Sequence, residues 1–404
     1  MTDALQRLVE RVRAARAAKT TLAIRGGGTK DFYGGALKGE PLDTRELAGI
    51  SRYEPSELVV TARAGTPLAE LEAVLAERGQ CLAFEPPRYG CPVVPFAGLF
   101  GVTATDDLAP VALRGGTVGG MVAAGLAGPA RAAVGGVRDF LLGATLLNGR
   151  AEVLSFGGQV MKNVAGYDVA RLLAGSMGVL GVICEVSLKV LPEPPAHATL
   201  RFDLDELKSL RQLAIWGGQA LPISASAWWR GALVVRLAGA RAAVQAALQR
   251  MGGEPIDNEL ADAFWRGLRD HTDEYFDAAE RAIDMAPQRA AAANRAAANT
   301  TPALWRLSVP PTALPIALAG DQLIEWCGAQ RWWLTAEPAA RVREAAAALG
   351  GHATLFRARD KAALLPAGGV FAPLKSPLDR LHREMKKSFD PDGVFNPGRL
   401  YPDF

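Results

Sequence analysis

Residues Leu22–Gly34 read LAIRGGGTKDFYG, an apolar, strand-like start running into three consecutive glycines with a cation on each side, Arg25 and Lys30. Glycine has no Cβ, so the backbone can take positive φ and come close to a ligand. Successive N–H groups then form a concavity that suits an anion, and Arg25 and Lys30 supply counter-charge. A pyrophosphate requires this combination. The P-loop order GxxxxGK[ST] is absent, and DFYGG after the glycines does not open a helix as a Rossmann GxGxxG would. Taken alone, RGGGTK reads equally well as a tight turn.

Two more stretches share its character. Gly115–Gly128 reads GGTVGGMVAAGLAG, with small residues at almost every position. That pattern suits either a closely packed helix or a second backbone wall. Gly175–Ile183 reads GSMGVLGVI; its GxxGxxG frame leads into VICEVSLKVL, a strand rather than a helix, which excludes a Rossmann loop. Three glycine-rich walls separated by strands predict a long ligand held largely by main chain.

Around these segments the chain is ordinary. Its 404 residues allow two or three domains. A formal charge of +3 with dispersed basic residues argues against nucleic-acid binding. No apolar run reaches the roughly 20 residues that span a bilayer. Leu5, Leu8, Val9 and Val12 fall at helical spacing in a charged opening helix that is not a signal peptide, so a cytoplasmic protein is expected. Docking at the inner face of the membrane through a partner stays open. Cys81, Cys91, Cys184 and Cys327 are far apart without CxxC, and the four histidines lack HExxH or HxH spacing; no metal site or self-contained iron–sulfur cluster is expected.

Strands are predicted at Thr21–Ile24, Leu58–Ala62, Leu141–Leu147, Glu152–Phe156 and Gly181–Val190, with a helix over Pro67–Arg78 capped by Thr66. LPEPPAHA, Leu191–Ala198, marks the clearest boundary. After it, TLRFDL, DELKSLRQLA, ISASAWWRGALVVRLAG and ARAAVQAALQRMGG give the strand, helix, hairpin, helix order of a ferredoxin-like unit. A second such pattern runs from ALWRLSV through GDQLIEWCGAQ, RWWLT and PAARVREAAAALG to HATLFRA. Between them, Ala278–Thr300 is alanine-rich and reads as a helix plus connector. The division expected is 1–194, 195–375 and a tail, 376–404. Trp228, Trp229, Arg230, Arg306, Trp332 and Trp333 fall in the strands of the second part, where core packing and a partner face are the competing readings.

RGGGTKDFYG, GGTVGGMVAAGL, the run from Phe156 to Pro192 containing KNVAGYD, and FDPDGVFNPGRL together resemble the FAD-binding flavoproteins of the p-cresol methylhydroxylase (PCMH) type. More narrowly, they are similar to the FAD-binding, GlcE-type subunits of bacterial glycolate oxidases. EPPRYG, RAAVGGVRDFLLG and LWRLSVPPT extend the likeness over most of the chain. The resemblance implies an α+β fold: a two-subdomain PCMH-type FAD-binding domain with a ferredoxin-like α+β cap. It implies that Arg25, Gly26, Gly27, Gly28, Thr29 and Lys30 hold the FAD pyrophosphate, and that Thr117, Gly119 and Gly120 line the same dinucleotide. Lys162, Asn163, Gly166, Tyr167 and Asp168, with Gly175, Ser176, Gly178 and Gly181, would complete the pocket. Asn396, Pro397 and Gly398 would bring the tail back against the flavin domain.

The departures from the family carry information. No histidine lies between Arg25 and Gly34 to link FAD covalently, and Cys91 sits in a segment, Cys91–Arg114, that looks inserted, so non-covalent FAD is expected. The His-x-Gly-Asp-x-Asn-x-His segment of related catalytic subunits is absent; His352, after Gly350 and Gly351, has no acidic partner following it. No catalytic residue is assigned. The resemblance therefore implies an FAD-binding subunit of a multi-subunit glycolate oxidase. In it, a second FAD-containing catalytic subunit would oxidise glycolate or a similar short 2-hydroxy acid, and an iron–sulfur subunit would accept the electrons. A self-sufficient D-lactate-like dehydrogenase and a non-catalytic assembly subunit are the alternatives.

Overall fold

The opening helix forms as its spacing predicts, over Asp3–Ala18. The Thr2 hydroxyl caps it by accepting from Leu5 N–H at 3.4 Å, and Lys19 in the left-handed region ends it. Val12 is fully buried. The computed structural model of the chain describes residues 2–90, 115–158, 168–285, 301–365 and 369–404. The apolar start of the glycine segment is strand β1, Leu22–Arg25, which pairs in parallel with β2, Glu40–Asp43. On its other side, Leu22 bridges Phe395 of the tail.

A five-stranded antiparallel sheet follows, built from β3 (Ile50–Glu54), β4 (Val59–Arg63), β6 (Leu141–Leu147), β7 (Val153–Gly157) and β8 (Val182–Lys189). The short pair β5 (Gln80–Cys81) and β9 (Leu191–Pro192) lies apart from it. The sheet order is β3-β4-β8-β6-β7. β8 is mostly buried because both its faces are covered. One face packs on helices Leu68–Ala76 and Val118–Ala124; Leu147, Val182 and Cys184 pack instead with helix Asp3–Ala18 and Phe395. The first of those helices begins one residue later than expected and is not capped by Thr66. Pro67 occupies the cap position, while the Thr66 hydroxyl accepts from Gly49 N–H at 2.9 Å and donates to Gly49 O at 3.1 Å.

The second layer is one eight-stranded antiparallel sheet made from β10 (Ala196–Asp203), β11 (Ile223–Trp229), β12 (Ala232–Gly239), β13 (Glu254–Ile256), β14 (Ala303–Ser308), β15 (Asp321–Glu325), β16 (Gln330–Thr335) and β17 (His352–Arg357). Its order is β13-β10-β12-β11-β15-β16-β14-β17. Each half has the strand order of a ferredoxin-like unit, and the two join edge to edge where Ala227 faces Glu325 and Trp228 faces Ile324. The second half departs from the expected element order. GDQLIEWCGAQ supplies a hairpin strand, β15, and the turn after it; among the described residues no helix separates it from β14.

Strand alternation sorts this sheet's side chains onto two faces. Trp305, Trp333 and Leu355 pack outward under helix Ala339–Ala348, as Leu233 and Val235 do under Glu206–Gly217 and Arg241–Met251. Trp229, Leu304, Leu323, Trp332 and Phe356 face the other way, onto helices Asn258–Asp270 and Glu274–Asp284 and onto Tyr33, Tyr89, Ala124 and Met177 of the first layer. The tryptophans are therefore core, as core packing predicts. Of the Ala278–Thr300 connector, the start belongs to helix Glu274–Asp284, and 286–300 lies outside the described residues.

Candidate functional site

The glycine segment leaves β1 and turns at once. Asp31 N–H donates to Gly28 O at 3.1 Å, Tyr33 N–H donates to Lys30 O at 3.0 Å, and Gly28 has φ +76°. At Gly27 a side chain is excluded by space as well, since a Cβ would lie 2.1 Å from Gly115 O of the second glycine segment. Among the described residues, none of the backbone N–H groups of Gly26, Gly27, Gly28 and Thr29 donates a hydrogen bond. Four consecutive unpaired donors beside a cleft form an anion-binding nest.

The carbonyls of the following turn are fixed by two distant cations. Arg399 of the tail donates to Lys30 O at 3.0 Å, to Asp31 O at 3.1 Å and to Gly35 O. Lys361, beyond β17, donates to Gly34 O at 3.3 Å and to Phe32 O. Burial pushes the Arg399 guanidinium down from its usual range. Burial, then the charges of Arg399 and Arg357, pushes Lys361 down to about 8. Arg25 turns onto Asp31, 2.6 Å away, so part of the expected counter-charge is balanced inside the loop.

The second glycine segment is both a packed helix and a wall. Thr117 caps helix Val118–Ala124 by accepting from Gly120 N–H at 3.2 Å. Val118 and Gly119 N–H groups donate to Thr66 O at 3.0 Å and to Ala64 O at 2.7 Å, which draws the helix end onto β4. The third segment runs through Met177 and Gly178, and Asn396 ties it to β1. Its Oδ1 accepts from Ile24 N–H at 2.7 Å and its Nδ2 donates to Met177 O at 2.7 Å.

Of the sequence-predicted site residues, Arg25, Gly26, Gly27, Gly28, Thr29, Lys30, Thr117, Gly119, Gly120, Gly178, Gly181 and Asn396 line one continuous cleft. Gly175, Ser176 and Gly398 do not line it. Gly175 N–H donates to Val122 O at 3.0 Å, Ser176 accepts from Gly178 N–H at 3.4 Å, and Gly398 N–H donates to Phe404 O at 2.6 Å, so these three shape the walls from behind. Asp168 is exposed and pairs with Arg171 at 2.9 Å, away from the cleft. Lys162, Asn163, Gly166 and Tyr167 lie outside the described residues, as does Cys91–Arg114.

Sequence reasoning missed Ile24, Thr44, Ala64, Ala123, Met177 and Arg399, which also line the cleft. The small size of Ala123 and Ala64 was the only signal for those two. Asn396→Ala is expected to lower unfolding stability by about 2–3 kcal/mol, because it leaves two buried main-chain groups without partners. It should also weaken FAD binding about tenfold, as read by fluorescence titration of apoprotein. Asn396→Asp, which keeps the acceptor for Ile24, should fall between.

On its cap side the cleft loop meets an aromatic interface. Lys30 Nζ lies 5.6 Å from the centre of the Tyr89 ring, and the Tyr89 hydroxyl is 3.2 Å from His271 Nδ1. His271 stacks on Phe276 with centroids 3.9 Å apart. Burial, with the charges of Arg357 and Arg306, pushes His271 well below the usual histidine range and keeps it neutral.

The comparisons with known proteins agree with this geometry. The FAD binding domain family matches residues 3–105. Glycolate oxidase subunit GlcE of Escherichia coli is 41% identical over 99% of this chain and 98% of its own length. Glycolate oxidase subunit GlcD of Bacillus subtilis is 33% identical over 22% of this chain and 19% of its own. Among solved structures, an alkyldihydroxyacetonephosphate synthase aligns with a TM-score of 0.55 at 12% identity, covering 96% of this chain and 74% of that one, a likeness of fold alone.

Proposed function

The chain belongs to the GlcE family of FAD-dependent oxidoreductase subunits, and from that membership we propose that it holds FAD non-covalently in the cleft and serves the oxidation of glycolate, or a similar short 2-hydroxy acid, to the 2-oxo acid. The observation that carries the reading is the row of unpaired N–H groups at Gly26–Thr29. It fits a dinucleotide, whose pyrophosphate needs several donors and little side-chain volume. Arg25–Lys30 then hold the pyrophosphate, and Thr117, Gly119, Gly120, Gly178, Gly181 and Asn396 enclose the rest. Lys162, Asn163, Gly166 and Tyr167 remain assigned to the same cofactor, Asp168 is withdrawn from it because it pairs with Arg171 outside the cleft lining, and residues 1–194, 195–375 and 376–404 remain the proposed division.

When bound, FAD supplies the two-electron acceptor. The chain's own work is to bind and orient it: Arg399, Lys361 and Asn396 hold the loops, and the aromatic interface around Tyr89 keeps water from the cap side. In the proposed complex a second FAD-containing catalytic subunit oxidises the 2-hydroxy acid, and an iron–sulfur subunit accepts the electrons. The four cysteines, with no CxxC among them, leave cluster ligation to such a partner. Among the described residues no helix is long and apolar enough to cross a membrane. We place the subunit in the cytoplasm, held at the membrane's inner face only through partners.

Co-purification of the tagged chain from its native cell tests this reading. One FAD per chain, released by acid, and glycolate-dependent dye reduction that requires the co-purified partners are expected. A colourless chain, or a complex unable to reduce dye with any short 2-hydroxy acid, would overturn it.

A further inference from the structure

Three positions after Thr29, the glycine loop leaves the flavin side and enters the second layer. The Phe32 ring meets Tyr89 at 5.3 Å and Phe356 at 5.4 Å, both edge-on, and the Arg357 guanidinium lies 4.1 Å from its centre. Tyr33 is 4% exposed and packs on Phe356 at 5.3 Å and Phe371 at 5.4 Å. The nest and these two rings share one short run of backbone, so a shift of the rings is passed to the donors of Gly26–Thr29.

Lys361 holds that run from the cap side. It opens the short helix Lys361–Leu364, and its Nζ donates to Phe32 O and, at 3.3 Å, to Gly34 O. Among the described residues it makes no ion pair, although acids line the same cleft. Those acids are committed elsewhere. Asp31 pairs with Arg25 at 2.6 Å, Glu280 pairs with Arg357, and Asp360 accepts from Ala363 N–H at 3.0 Å. Asp284 gives its main-chain O to Arg359 at 3.1 Å. From the tail, Arg399 occupies the neighbouring carbonyls of Asp31 and Gly35.

Lys361 is thus an ammonium held by carbonyls among arginines, and burial with the charges of Arg399 and Arg357 pushes it down to about 8. The group therefore changes charge between pH 7 and pH 9. A pyrophosphate on the nest places negative charge a few residues along the same loop, which favours the ammonium. Linkage makes the effect reciprocal: the protonated lysine favours the cofactor. Affinity is then fullest below pH 8 and is lost as pH rises toward 9.

We propose that Lys361 is a positioning residue for the cofactor, tying the far end of the nest loop to the eight-stranded layer so that FAD binding takes up a proton at its amine. The inference rests on the FAD reading above and adds a proton to that equilibrium.

The test is a fluorescence titration of the full-length apoprotein with FAD at pH 7, 8 and 9. Wild type should bind about three- to tenfold more weakly at pH 9 than at pH 7. Calorimetry at pH 8 in two buffers of different ionisation enthalpy should show uptake of a fraction of a proton. Lys361→Arg, which stays charged throughout this range, should abolish both the pH dependence and the proton uptake. Lys361→Met should bind about tenfold more weakly at pH 7, the loss of a charged hydrogen bond, and show no pH dependence. Arg359→Met, on the same cleft wall, should keep the wild-type profile. A wild-type affinity that is flat from pH 7 to pH 9, or a Lys361→Arg protein that keeps the wild-type slope, would overturn the proposal and leave the FAD reading standing. Weaker binding in Lys361→Met without proton uptake by wild type would also overturn it, reducing the lysine to a structural brace. Wild type and Lys361→Arg decide the matter even where Lys361→Met does not fold. A well-folded wild type that binds no FAD at any pH would overturn the FAD reading as well.

Discussion

Gly27→Val should purify without flavin. The Cβ of any residue at this position would sit 2.1 Å from Gly115 O, and both partners are main chain, so neither can rotate away. The loop must swing outward, which separates the donors of Gly26–Thr29 from a common ligand. Flavin content per chain, from absorbance after acid release, should fall from one to near zero. The apoprotein should bind added FAD at least about a hundredfold more weakly, roughly 2.7 kcal/mol. The fold should survive, because the clash opens a surface loop rather than the sheet. Stoichiometric FAD in a well-folded Gly27→Val protein would remove the main-chain cradle from consideration.

Asp390→Asn should produce the largest loss of stability. Asp390 is 2% exposed and accepts from Lys386 Nζ at 2.5 Å, Val394 N–H at 2.9 Å and Phe395 N–H at 2.8 Å. Lys386 in turn donates to Val179 O at 2.8 Å and Phe395 O at 3.0 Å. This buried pair fastens helix Leu378–Phe389, the tail and the third glycine segment at one point. Removing one charge strands the other, at a cost of about 3–5 kcal/mol. Denaturant unfolding should show this as a lower midpoint. Lys386→Met combined with Asp390→Asn should recover part of the loss, since no uncompensated ammonium then remains. A single variant within about 0.5 kcal/mol of wild type would show that the pair does not hold the tail.

Much of this architecture can be read directly from the chain because it rests on local rules. Leu141–Leu147 reads as a strand in the sequence, and the structure has a strand over the same residues. Alternation sends Trp332 and Trp333 to opposite faces. The glycine segments announce themselves because only a missing side chain explains three clusters of such composition. Contacts across long sequence separations are not legible in this way. Arg399 reaches carbonyls more than 360 residues away, and nothing in FNPGRL distinguishes it from an ordinary basic tail residue. Thr66 looked like a helix cap because its hydroxyl precedes Pro67, yet Gly49 offered it both a donor and an acceptor in the finished fold. GDQLIEWCGAQ shows no element of its own in the sequence; its neighbours β11 and β16 recruit it as a strand.

The linkage between Ile24 and Asn396 spans 372 positions, and translation proceeds from one to the other. While the ribosome is still working, the first glycine loop has left the exit tunnel without the residues that brace it. Cofactor loading is thus expected to wait until the stretch around Asn396 has been made and has joined β1. A polypeptide stopped before Asn396 should hold flavin poorly.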